Sequence, residues 1–192
     1  GGLANAHTME CNTTYYFQVL NEFFEDCLDL FAQFFIHPLF LEDSIKREIL
    51  AIESEYSKNL THEYVRIFSV LKELVQNNHP FYNFGVGNKE TLDKPDIREK
   101  LLEFYDKYYS ANIMKLVILT NKKVDKEEIK KLFGQIKNKD VIIDEKIFCP
   151  FSKKKIIRVL PIQDTNELIV SWQIPPNKYD NIDKTLAYIS YI

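Results

Sequence analysis

The stretch that most restricts what this chain can fold into is Ser44 to Tyr56. Wound at about 100° per residue, Ile45, Ile49, Ile52 and Tyr56 fall on one narrow apolar stripe, the pattern of an amphipathic helix. Glu48 and Glu55 are seven positions apart, so they stack two turns from each other and only about 20° out of register. Both fall beside Ile52 at the edge of the stripe, while Lys46, Arg47, Glu53 and Lys58 point elsewhere. Carboxylates aimed toward a core are costly unless a cation, a metal or a proton compensates them. Two readings stay open at this point. Either Glu48 and Glu55 belong to a site that supplies such a partner, or the stripe is narrow and both acids flank it in water.

The remaining elements alternate between the strand and helix periods. Gly1 to Glu10 is small-residue, extended chain, and Thr13 to Leu20 is β-branched and aromatic, which predicts a strand. Asn21 caps a helix to about Ile36 whose apolar residues cover most of its circumference, predicting burial on more than one side. His37-Pro38 ends it. Another helix is expected from His62 to Asn77 with Thr61 as its cap, and Asn78 to Asn88 is turn-rich loop that braces the helices. Asp96 with Glu99, and Asp125 with Glu128, have capping-box spacing. Ile113 to Leu119 predicts a buried strand. Ile156 to Pro161 and Glu167 to Ile174 predict two more, before a helix near Asn181. The fold class expected is α+β: a mainly antiparallel sheet with long helices packed on one face, plus the first strands of a second similar domain. Boundaries are expected at 1–140 for the first domain, 141–155 for a charged connection containing Pro150, and 156–192 for the start of the second.

Composition narrows the function classes. With 14 Phe and 11 Tyr in 192 residues and 45% apolar residues, the chain has ample material for a packed core. A net charge of −3 argues against a nucleic-acid binder, which needs a basic face. No apolar run reaches membrane-spanning length. Cys11, Cys27 and Cys149 lack zinc-ribbon or disulfide-framework spacing, which favours a reducing compartment.

Several blocks then occur in a telling order: Gly2-Leu-Ala-Asn-Ala-His-Thr8, Thr14-Tyr-Tyr-Phe17, Pro38-Leu-Phe40, Arg47-Glu48, Glu53-Ser-Glu55, Lys58-Asn59, His79-Pro-Phe81, Phe84-Gly-Val-Gly-Asn88 and Thr91-Leu92. Together they resemble the pitrilysin and insulin-degrading-enzyme family of zinc peptidases. In that family an inverted H-x-x-E-H helix supplies two His ligands and the general base. The resemblance implies that Glu55 is the third zinc ligand and that Glu48 supports the site from outside the metal's ligands. It also implies that Asn5, Ala6 and His7 lie on an edge strand to which a peptide substrate adds as a further strand. Zinc would lower the pKa of its bound water toward ~7 and polarise the scissile carbonyl.

The departure from the family pattern is large, because no H-x-x-E-H occurs in this chain. The chain therefore reads as a piece of a longer peptidase, cut after its metal-binding helix. On this reading the parent hydrolyses peptide bonds in small or unfolded polypeptides and has a second, non-catalytic half. The piece itself is expected to be inactive, to bind no zinc, and to self-associate through its edge strand. The alternatives are a non-catalytic scaffold or substrate-binding domain of the same fold, and a processing-peptidase subunit that works with a partner chain.

Overall fold

The computed structural model describes residues 1–121, 123–143, 151, 153–162 and 166–171. They fall into two compact units, one of Gly1–Thr61 with Phe84–Asp144 and one of His62–Asn83 with Glu145–Ile192.

The first unit begins with an antiparallel hairpin of β1 (Leu3–Thr8) and β2 (Thr13–Gln18). Its register pairs Leu3 with Gln18, Asn5 with Tyr16, Ala6 with Tyr15 and Thr8 with Thr13. Side chains alternate across a strand, so Tyr15 and Phe17 share one face and Tyr16 takes the other. The first face packs on α1 (Phe24–Ile36): Tyr15 lies 5.0 Å from Phe34 and 5.5 Å from Phe35, and Phe17 lies 5.1 Å from Phe31. Leu28, Ala32 and Phe35, spaced by four and three residues, form the buried stripe of α1. The fold is thus α+β, an antiparallel hairpin with helices on one face, as the sequence patterns predict.

Helix α1 is not covered on several sides, contrary to expectation, for Leu30 is 69% and Phe34 49% exposed. The hairpin and α5 (Ile97–Tyr108) cover its Phe35 side, and the Leu30 side opens onto a cavity instead. The carbonyls at the end of a helix lack intrahelical partners, and His37-Pro38 stops α1 from continuing. The Tyr105 hydroxyl donates to the Phe35 carbonyl there. The link from α1 to α2 (Glu42–Asn59) holds Phe40 at φ 44°, a left-handed conformation rare for a bulky residue. Arg98 Nε donates to the Phe40 carbonyl at 3.0 Å, and the Tyr105 ring packs 5.9 Å from Phe40.

Along α2 only Ile49 is buried. A short helix, α4 (Lys89–Leu92), follows a capping box in which Asn88 accepts from the Thr91 N–H and the Thr91 hydroxyl accepts from the Asn88 N–H. At the start of α5, Asp96 makes no side-chain cap, which corrects the capping-box expectation; it pairs with Lys100 at 2.9 Å instead. A lysine one turn along competes for the oxygen that a cap would use. Asp125 caps α6 (Lys126–Phe133) one way only, accepting from the Glu127 N–H at 2.8 Å, and the expected box with Glu128 does not form.

Ile113 to Leu119 forms no strand in the described structure. A strand persists only as one side of a ladder, and among the described residues β1 and β2 pair only with each other. Val117 and Leu119 are 88% and 99% exposed, while Ile113, Met114 and Ile118 are half-buried, so the run is covered in part only.

In the second unit, α3 (Glu63–Leu74) carries Phe68 against Phe81 at 6.1 Å, with Lys72 Nζ 5.1 Å above the Phe81 ring. Thr61 does not cap it; the Thr61 hydroxyl donates back to the Lys58 carbonyl. Arg66 bridges Glu63, at 2.9 Å, and the Leu160 carbonyl, at 3.1 Å, while Glu63 accepts from the Ile162 N–H. Residues 156–162 and 166–171 join no ladder among the described residues; 163–165, 172–174 and the helix expected near Asn181 lie outside them. No helix among the described residues is long and apolar enough to cross a membrane.

Candidate functional site

The structure places Glu48 and Glu55 on α2 as an i, i+7 pair, about 10 Å apart along the axis. Both are exposed. Glu48 lines a cavity of about 700 Å³ between α1, the following link, α2 and α5, whose other walls include Leu30, Phe34, Leu39, Ile45 and Ile52. Glu55 lies beyond it. On the opposite flank of the α2 stripe the Glu53 carboxylate accepts from the Lys89 N–H at 2.6 Å, and on the stripe itself the Tyr56 and Phe84 rings meet edge-on at 5.8 Å. One flank of the helix is therefore clasped by residues 84–92, and the flank bearing Glu48 and Glu55 is open. Among the described residues no group of three His, Cys, Asp or Glu side chains could hold a metal ion. Glu55 fits as one oxygen donor, but the described part of this chain supplies no complete zinc site.

The geometry of β1 follows from its turn. Met9 N–H bonds to the Asn12 carbonyl at 2.8 Å, and bonded and non-bonded pairs alternate in an antiparallel ladder. Thr8, Ala6 and Ala4 therefore occupy non-bonded pairs, and their backbone groups point to the open edge. Asn5 Oδ1 accepts from the Ala6 N–H at 2.8 Å, occupying one of these outward donors. His7 projects on the face shared with Tyr16, ring to ring at 6.4 Å. All three of Asn5, Ala6 and His7 are exposed, so this edge can accept another extended chain through its main chain.

Two features escaped the sequence reading. The first is the Glu53 contact, which joins residues 36 apart and leaves no local pattern. The second is a chain of phenols behind the hairpin: Tyr15 and Tyr109 share a hydrogen bond, and the Tyr105 and Tyr109 rings lie 5.2 Å apart. Burial, and then the bond from Tyr15, push the Tyr109 phenol well above the ordinary tyrosine range. Burial also raises Tyr105, helped by the Asp106 charge. Asp106 itself is lowered by its bond to Lys139 Nζ at 2.9 Å. Tyr109 anchors β2, and through it the edge strand, to the helical layer. The aromatic residues were legible in the sequence, but their hydroxyl pairing needed the coordinates.

The family profile described as Insulinase (Peptidase family M16) matches residues 1–81, and that described as Peptidase M16 inactive domain matches residues 96–192. The putative zinc protease mug138 of Schizosaccharomyces pombe is 40% identical over 202 aligned residues, covering 100% of this chain and 21% of that protein. Human insulin-degrading enzyme is 39% identical over 87% of this chain and 18% of its own length. The A-factor-processing enzyme of Saccharomyces cerevisiae is 38% identical over 91% of this chain and 18% of its length. Among solved structures, the crystal structure of pitrilysin superposes with a TM-score of 0.70 at 33% identity, covering 79% of this chain and 17% of that one. The chain spans about a fifth of the length of the curated relatives it matches.

Proposed function

Because the chain belongs to the insulinase family of peptidases, family M16, we propose that it is part of a zinc metalloendopeptidase acting on small or unfolded polypeptides. In this reading residues 1–140 belong to the catalytic domain, 141–155 connect it to the next, and 156–192 begin that next domain. Zinc is held in the parent protein, and Glu55 is the one ligand that this chain contributes. Glu48 acts from outside the ligands: about 10 Å of helix separates it from Glu55, more than one ion with bonds of about 2 Å readily spans. The substrate pairs with the outward backbone groups of Ala4, Ala6 and Thr8, displacing Asn5 Oδ1 from the Ala6 N–H, and this pairing tolerates many side chains. Asn5 and His7 meet the side chains and carbonyls that flank the bond to be cut. Without a substrate or a second half of the protein, the same edge recruits another copy of the chain.

The observation that carries this reading is the family match, with Glu48 and Glu55 aligned on the exposed flank of α2. The test measures zinc content and cleavage of a panel of unstructured peptides, first for residues 1–192 alone and then for the full-length protein. The expected result is zinc and cleavage in the full-length protein only, with zinc lost in Glu55→Gln and weakened less in Glu48→Gln. Stoichiometric zinc in the isolated chain, or a full-length protein that neither binds zinc nor cuts peptides, would overturn it. The second outcome would leave a scaffold or substrate-binding role of the same fold.

A further inference from the structure

Helix α2 has an unusual distribution of anchors. Its one buried residue, Ile49, sits near the middle, the N-terminal end carries no side-chain cap, and at the C-terminal end the Thr61 hydroxyl satisfies only the Lys58 carbonyl. The turns after Ile49 include Glu55, four residues before the last helical residue Asn59. Terminal turns fray when nothing fixes them, since their carbonyls have no intrahelical partners. Two contacts bracket Glu55 and oppose this. Two residues earlier, the Glu53 carboxylate accepts from the Lys89 N–H at 2.6 Å. One residue later, Tyr56 meets Phe84.

Lys89 belongs to the Asn88–Leu92 turn, and Phe84 lies four residues before that turn. Asn88 and Thr91 bond each other reciprocally, so the backbone at Lys89 is held in place. Gly87 has φ +81°, a conformation open to glycine, and a Cβ there would lie 2.9 Å from Leu92 Cδ1 and 3.8 Å from Ile52 Cγ2. The turn thus closes directly on α2. Glu53 and Glu55 project about 160° apart around the helix axis, so Glu53 cannot touch anything that Glu55 touches. It acts through the backbone. A carboxylate receiving a main-chain N–H is a charge-assisted bond, shorter and stronger than a neutral one.

We propose that Glu53 is a positioning residue: by tying α2 to the Asn88–Leu92 turn, it holds the helix so that the Glu55 carboxylate stays aimed at the metal. This inference rests on Glu55 being the zinc ligand. It gives the glycine-containing loop at 84–92 a role in metal binding through a residue that never meets the metal.

The test uses the full-length protein and three variants, Glu53→Ala, Glu53→Gln and Glu55→Gln, with hydrogen exchange, zinc affinity and melting temperature measured on each. In Glu53→Ala, amide exchange is expected to speed up at Lys89 and across residues 52–59. Zinc affinity should fall about tenfold or more, as for other residues that orient metal ligands. Glu53→Gln keeps an oxygen acceptor for the Lys89 N–H and should recover most of the zinc affinity. A purely structural role would instead lower the melting temperature and speed exchange with zinc affinity unchanged, and that result would overturn the proposal. So would unchanged exchange at Lys89 in Glu53→Ala. If Glu55→Gln retains zinc, the ligand assignment falls with the proposal, and the exchange data separate that failure from absence of the tether.

Discussion

The bond between Tyr15 and Tyr109 offers the sharpest quantitative check on how the hairpin is held. The perturbation is a cycle of Tyr15→Phe, Tyr109→Phe and the double variant, which removes hydroxyls and leaves every ring in place. A neutral hydrogen bond contributes a net ~1 kcal/mol. Both phenols are only part-buried, so the hydroxyl left behind by a single substitution recovers water and adds little to the cost. Each single variant is therefore expected to lose ~1 kcal/mol and the double variant hardly more, giving a coupling energy of ~1 kcal/mol. That corresponds to ~2–4 °C in melting temperature for a chain of this size.

The pH dependence has a definite sign. The folded-state pKa of Tyr109 is raised above its unfolded value of about 10. Its contribution is fully present below about pH 10 and is lost as pH rises through the folded value. Urea titrations at pH 7 give the cycle, and tyrosinate absorbance against pH shows whether the latest-ionising phenol vanishes in Tyr109→Phe. Additivity of the two single substitutions to within about 0.3 kcal/mol would refute the coupling. A full set of phenols titrating near 10 in the folded protein would refute the part-buried, bonded placement of Tyr109.

Phe35→Ala removes the ring at the centre of the Tyr15, Phe31 and Phe34 cluster and should cost ~3–5 kcal/mol. Phe35→Leu should cost clearly less, both read by denaturant unfolding. Gly87→Ala forces a Cβ to 2.9 Å from Leu92 at a positive φ and should destabilise by ~1–3 kcal/mol, with faster amide exchange concentrated in residues 84–92. Asn5→Ala releases the outward N–H of Ala6, and sedimentation velocity should show stronger concentration-dependent association than in the unmodified chain. Asp106 is held below the usual carboxylate range by Lys139, so its contribution is present above about pH 4 and fades as pH falls further. Acid titration of Asp106→Asn should lose that part of the pH dependence.

Much of this molecule is written in local sequence. The stripe of Ile45, Ile49, Ile52 and Tyr56 defines α2, and the separation of seven between Glu48 and Glu55 puts them on one flank of any helix built there, because helical geometry depends only on spacing. The alternation in Thr13 to Gln18 defines which residues of β2 face α1. Asn88 and Thr91 set their turn by contacts three residues apart, and His37-Pro38 ends α1 by a clash within the dipeptide. The ordered blocks that mark the family are likewise properties of the linear sequence.

Other features depended on the rest of the fold. The apolar run Ile113 to Leu119 reads like a buried strand, but a strand needs a partner, and partnership is not encoded in the run itself. The apolar circumference of α1 could not say which faces would be covered. Asp96 had capping spacing, yet Lys100 took its carboxylate. Glu53 was indistinguishable in sequence from a solvated acid until a backbone N–H from 36 residues away arrived beside it. Spacing along the chain fixes the direction in which a side chain points, whereas what it meets there is decided by segments far away in sequence, and only their packing brings them together.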